Sequence, residues 1–143
     1  MDHLEEIAER IRAEFDTITE ARDKTLAQTR TLTRHCAHAI RAVHRLEHDK
    51  AAEELAEARK LAEQLTTKLK AEHPNLYFTG YTQDALKEYS EANIVSALVT
   101  GQSLPTPEDL GLEVATYLKG LAETIGELRR RCKRYQADGD QGV

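Results

Sequence analysis

Apolar positions recur at steps of three and four residues over nearly the whole chain. Leu4, Ile7, Ile11, Phe15 and Ile18 open the pattern, and Leu26, Leu32, Cys36, Ile40, Val43 and Leu46 continue it. Such spacing predicts a buried helical stripe, on one long helix or two abutting ones from Asp2 to about Glu47. Leu55, Ala58, Ala62, Leu65 and Leu69 predict a second helix from about Asp49 to Ala71. His73-Pro74-Asn75 should stop it, since proline and the residue before it disfavour helix continuation. A third helix is expected from about Tyr81 to Thr100, ending at Gly101. Gln102 to Gly111 is the main loop, where Thr106 is placed to cap a short turn with Pro107 at its first position. A fourth helix is expected from about Glu113 to Gln136, with Val114, Leu118, Leu121, Ile125, Leu128 and Cys132 as its buried stripe. The pattern predicts an all-α antiparallel helical bundle of long helices.

Composition supports that fold class and narrows the function. Of 143 residues only 7 are Gly and 3 Pro, which argues against a sandwich or barrel. The longest strongly apolar run, Ala92 to Val99, is too short to span a bilayer. An acidic N-terminus without a basic-then-apolar pattern shows no signal peptide. Two cysteines make no disulfide framework, so a cytoplasmic location is expected.

The net charge is −5, yet Ala21 to Arg45 carries six basic residues against one acid. Arg30, Arg34, Arg41 and Arg45 fall on one helical face, opposite Leu32, Cys36, Ile40 and Val43. Arginine's planar fork suits phosphate oxygens, so the stripe is a candidate nucleic-acid surface. Taken alone, the stripe is more simply a solvated face, or one paired with the acidic segment Glu53 to Glu63.

Glu88 and Glu91 stand at i and i+3, each heading an apolar stripe, so partial burial is expected. Buried carboxylates need a metal, an arginine or a proton. Glu123 and Glu127 form a second pair opposite the apolar stripe of their helix, which on its own reads as a solvated face with Glu127 pairing Arg130 or Arg131. Gly120 and Gly126 lie in the same helix at about 1 kcal/mol each relative to Ala, suggesting a close neighbour on the glutamate side. Four acids from two helices would suit Mg²⁺ or Mn²⁺. His44 and His48 at i and i+4 admit a zinc reading, but no cysteine or histidine cluster completes a tetrahedral set. His44 reads better as a packed or phosphate-facing side chain, and Cys36 as core.

Ala21-Arg22-Asp23-Lys24, Thr29-Arg30, Ile40-Arg41 and His44-Arg45 together resemble the Arg-rich second helix of the translin family. Leu86-Lys87-Glu88-Tyr89-Ser90-Glu91-Ala92 resembles another of its helix motifs. The most specific match is Tyr117-Leu118-Lys119-Gly120-Leu121-Ala122-Glu123-Thr124-Ile125-Gly126-Glu127-Leu128, followed by Arg130 and Cys132. The likeness runs from about Ile18 to Asp140 and is closer to translin-associated factor X, the catalytic partner, in a compact archaeal or bacterial form.

The resemblance implies an all-α fold that assembles into a hollow homo-oligomer and binds single-stranded RNA or DNA. It implies Mg²⁺-dependent endoribonuclease cleavage of single-stranded RNA inside the barrel. Its metal-binding and catalytic acids fall on Glu88, Glu91 and Glu123, with Glu127 nearby, and the second glutamate pair would then face the first. The nucleic-acid path falls on Arg22, Arg30, Arg34, Arg41 and Arg45. The alternatives are a non-catalytic translin-type binder of single-stranded DNA or RNA, and an inactive structural subunit. Two departures matter. The catalytic branch usually has Asp where this chain has Glu123, and one more methylene shifts a carboxylate enough to disturb an octahedral site. Family members also continue past the Gly-Asp seen here as Gly139-Asp140 into further helices. Residues 1–143 are therefore expected to form one translin-like domain, C-terminally truncated, with an apolar groove left open.

Overall fold

The computed structural model describes residues 2–140; Met1 and the last three positions of the expected domain, 141–143, lie outside the described residues. The chain forms α1 (Asp2–His44), α2 (His48–Gln64), a π-helical turn (Leu65–Leu69), α3 (Lys70–Glu72), α4 (Pro74–Tyr77), α5 (Gly80–Thr100), α6 (Pro107–Leu110) and α7 (Val114–Asp140). Among the described residues there is no strand, so the all-α architecture expected from the periodicity is the one observed.

One helix spans the first 43 described residues without a break. Acidic Asp2 and Glu5 lie in its first turn and Arg41 and His44 in its last, complementing the helix dipole at both ends. It stops at a turn in which Leu46 takes the left-handed conformation, φ 60°. The second helix does not run through to Ala71 as one α-helix. Thr66 Oγ1 donates back to the Ala62 carbonyl and Thr67 Oγ1 to that of Glu63, and the backbone widens there into the π-helical turn. His73 leaves helical geometry (φ −137°, ψ 69°) ahead of Pro74, which starts α4. Gly101 closes α5 in the left-handed conformation. Thr106 and Asp109 form a reciprocal capping box around Pro107, as the sequence signalled.

α5 is the central element. It packs on α1 along one side and on α7 along the other, while α2 lies against α1. The core joins Leu32 and Cys36 of α1, Ala58 and Ala62 of α2, Leu65 of the π-helical turn, Tyr77 of α4, Leu86, Tyr89 and Ile94 of α5, and Tyr117 of α7. Thus the α1 stripe from Leu32 to Val43 and the α2 stripe are inward as expected.

Two expected stripes are not buried. Leu4, Ile11, Phe15 and Ile18 are exposed, because the N-terminal half of α1 extends past the elements that cover its C-terminal half. On α7, Val114, Leu118 and Ile125 are exposed as well, Leu121 and Leu128 are half-buried, and Cys132 is exposed. α7 instead turns its face of small and polar residues to α5. Gly120 is the reason the two helices come so close: a Cβ there would lie 2.6 Å from Ser90 Cβ and Oγ and 2.9 Å from the Lys87 carbonyl oxygen. Ser90 Oγ donates to the Tyr117 carbonyl at 3.3 Å across that contact. Gly126, by contrast, has open space at its Cβ position and marks no close approach. α7 also continues through Asp140, four residues beyond its expected end.

Candidate metal and nucleic-acid site

The contact between α5 and α7 determines where the carboxylates go. Glu88 and Glu91 are one turn apart on α5, and the Gly120 face of α7 brings Glu123 against them. One carboxylate oxygen from each of Glu88, Glu91 and Glu123 lies within 4.8 Å of the others. Among the described residues this is the single cluster of His, Cys, Asp or Glu with such convergence. Glu123 therefore reaches α5 while its side chain stays 44% exposed, and Glu127 turns to another partner.

The environment makes three like charges tolerable. Glu91 is only 5% exposed, and burial, reinforced by the charge of Glu88 and by Glu123, pushes its carboxyl up to about 8. It holds its proton at neutral pH, as a buried acid beside other acids should. Glu123 moves the other way, held low chiefly by its bond to Lys87. Lys87 Nζ sits 2.8 Å from Glu123 and 3.6 Å from Glu88. Sequence reasoning missed Lys87: an α5 lysine between glutamates reads as a surface charge, and only the α7 contact turns it into the counter-cation of the cluster.

Glu127 is not in the cluster. Its Oε1 lies 2.8 Å from His44 Nε2, and Arg130 binds its other oxygen. Burial raises its carboxyl, but the bonds to His44 and Arg130 outweigh this and hold it below the usual value. Arg131 Nη1 stands 3.3 Å from His44 Nδ1. An arginine can only donate, so Nδ1 accepts and Nε2 carries the proton given to Glu127. His44 thus ties α1 to α7 beside the carboxylates and has no zinc geometry with His48, which is exposed.

All five candidate arginines, Arg22, Arg30, Arg34, Arg41 and Arg45, are exposed. None of them pairs with a carboxylate among the described residues; Glu54 is taken by His35 and His38, Glu57 by Lys60 and Glu63 by Arg59. Pairing with the acidic helix therefore does not account for the stripe. Two clefts join it to the acids. One of about 660 Å³ is lined by Arg30, Thr33, Tyr81, Lys87 and Glu88. The other, about 390 Å³, is lined by Arg41, His44, Arg45, Glu127 and Arg134. Arg30 thus shares a cleft with Glu88 of the cluster, and Arg41 and Arg45 share one with Glu127; Arg22 and Arg34 line neither.

No model of a known protein family matches the chain, and no curated protein sequence does. Solved structures do. The crystal structure of AfC3PO superposes with a TM-score of 0.79 at 31% identity, over 92% of this chain and 67% of that one. The AfC3PO–duplex RNA complex gives the same values. The crystal structure of apo-NeC3PO superposes with a TM-score of 0.83 at 21% identity, over 92% of this chain and 69% of that one. C3PO is the complex of translin and translin-associated factor X.

Proposed function

Since this chain belongs to the translin family, we propose that it binds RNA along the α1 arginines and cleaves it as a divalent-metal-dependent endoribonuclease. The observation that carries this reading is the convergence of Glu88, Glu91 and Glu123 within 4.8 Å, on a molecule whose arginine stripe has no carboxylate partner among the described residues. The binding half is also supported by the structural match to a C3PO solved with duplex RNA.

The donor set fits Mg²⁺ or Mn²⁺. All three groups are hard oxygen ligands, and three carboxylates with one ammonium leave two negative charges when Glu91 is ionised. Glu88, Glu91 and Glu123 would hold the ion. Bound there, it would supply charge neutralisation at the phosphate and activation of water. Lys87 holds Glu123 against α5 and adds positive charge where phosphate oxygens would gather. Glu127 fixes the ring and tautomer of His44. Arg22, Arg30, Arg34, Arg41 and Arg45 bind the phosphate backbone and set the strand's register over the acids. Single-stranded RNA is the preferred substrate in this reading, because an unpaired strand can enter clefts of this size, and a homo-oligomer is the working form.

Lys87 also favours a second reading. Its ammonium already neutralises Glu123, and Glu123 is longer than the Asp of the family's catalytic branch; a site so balanced would bind nucleic acid without cleaving it. Labelled single-stranded and duplex RNA, incubated with the protein in Mg²⁺ or in EDTA and read for gel shift and product together, separates the two. Cleavage of single strands only in Mg²⁺ is expected. A shift without product in Mn²⁺ and Mg²⁺ assigns the protein to the binding class, and neither shift nor product overturns both readings.

A further inference from the structure

Lys87 stands between two demands. Its ammonium lies 2.8 Å from a Glu123 oxygen and 3.6 Å from a Glu88 oxygen, so it bridges two of the three converging acids. A divalent ion held by Glu88, Glu91 and Glu123 would need those same carboxylates. An ammonium and a divalent cation cannot share them at full strength, because like charges at such short range repel. The bond to Glu123 raises the Lys87 ammonium further above its ordinary range. Its charge is therefore fixed, and only its position can change.

The same lysine lines a cleft that an RNA strand can enter. The cleft of about 660 Å³ has Arg30 and Thr33 of α1 on one wall and Tyr81, Asp84, Lys87 and Glu88 of α5 on the other. Arg30 is exposed and has no carboxylate partner among the described residues, so it is available to a phosphate in that cleft. Lysine carries a compact charge with three rotatable donors on a flexible four-carbon stem. The pair it makes is not sealed: the Lys87 side chain is 19% exposed and that of Glu123 44%. An ion pair so open exchanges one oxyanion for another at small net cost. A phosphate held by Arg30 is such an oxyanion.

We propose that Lys87 is a movable counter-cation that makes RNA binding and divalent-ion binding cooperative. Without nucleic acid its ammonium rests on Glu123 and Glu88 and keeps the site at low affinity. A phosphate in the Arg30 cleft draws the ammonium to itself and leaves Glu88, Glu91 and Glu123 to the ion. By linkage, a bound ion tightens the phosphate by the same factor. Lys87 is thus a positioning residue, and the charge balance that favours binding without cleavage holds only while the cleft lacks a phosphate. This rests on the metal-dependent reading above and concerns how that site is regulated.

The test measures Mn²⁺ binding rather than cleavage. Free Mn²⁺ is read by electron paramagnetic resonance in titrations of the full chain. Each titration is run with and without a single-stranded DNA oligomer, at an amount that saturates binding by gel shift. Titrations of the oligomer alone and of Glu88→Gln/Glu123→Gln subtract ions held elsewhere. Lys87→Met removes the charge, and Lys87→Gln is the second variant should methionine disturb the fold; circular dichroism checks both. The wild type is expected to bind Mn²⁺ about tenfold more tightly with the oligomer present. Without the oligomer, either variant is expected to bind about tenfold more tightly than wild type, and to gain less than about twofold from adding it. An equal gain, or none, in wild type and variants overturns the proposal and leaves the metal site standing. Weaker Mn²⁺ binding by the variants overturns it too, and makes Lys87 a support for the acids. No Mn²⁺ bound by any of the proteins overturns this proposal together with the metal-dependent reading.

Discussion

Glu91 is the acid whose environment makes the sharpest demand. It is almost fully buried, with Glu88 and Glu123 beside it, and its carboxyl is raised from the ordinary 4.5 to about 8. The native state therefore favours the protonated acid. Below about pH 4.5 both folded and unfolded chains carry that proton, and its stabilisation is fully present. As pH rises the unfolded chain loses the proton first, so stability falls until the native carboxyl also ionises near pH 8. At about 1.4 kcal/mol per tenfold, the whole displacement corresponds to a ceiling of roughly 5 kcal/mol. Glu123, held low by Lys87, is ionised in folded and unfolded chains across this range and leaves the slope unchanged; relaxation and water entry around a buried acid leave about 2–3 kcal/mol of that ceiling. Glu91→Gln keeps the size and a permanent neutral head. In EDTA, wild type should lose about 6–10 °C of melting temperature between pH 5 and pH 8.5 relative to the variant. Thermal melts followed by circular dichroism across that range make the comparison. Parallel profiles for the two proteins would refute the argument that Glu91 is a buried acid holding its proton.

Gly120→Ala should destabilise the protein by about 1–3 kcal/mol, because the new Cβ meets Ser90 and the Lys87 carbonyl; urea unfolding measures it, and a neutral result would mean α5 and α7 are not held this close. Leu46→Gly should stabilise by about 0.5–1 kcal/mol, since Leu46 is exposed and its φ of 60° suits glycine; the same assay decides. Arg30→Ala with Arg34→Ala should weaken RNA binding and reduce the slope of log affinity against log salt by about two, if each side chain meets one phosphate. An unchanged slope would remove those residues from the path.

The sequence exposed the fold through spacing, and it misled where spacing could not show what lay outside a helix. Leu32, Cys36 and Val43 are buried because α2 and α5 lie on them, and their period signalled that. Phe15 and Ile125 have the same period and face solvent, because periodicity identifies an apolar face and not the element that covers it. The glutamates were legible in pairs. Their convergence depended on Gly120, a residue that pattern alone reads as a helix defect; at Gly126 the same inference failed. Lys87 and the link from His44 to Glu127 were not legible, since both depend on contacts between helices far apart in sequence.

The central claim is that Glu88, Glu91 and Glu123 would hold a divalent ion beside RNA bound along α1, where the ion would neutralise charge and activate water for strand cleavage. The most direct test compares wild type with Glu88→Gln/Glu123→Gln on one labelled single-stranded RNA in Mg²⁺, measuring product and bound fraction in the same samples. The account predicts that the variant loses cleavage by at least about a hundredfold while its affinity changes by less than about threefold, since the phosphate contacts lie on other residues. Cleavage that survives in the variant would contradict it.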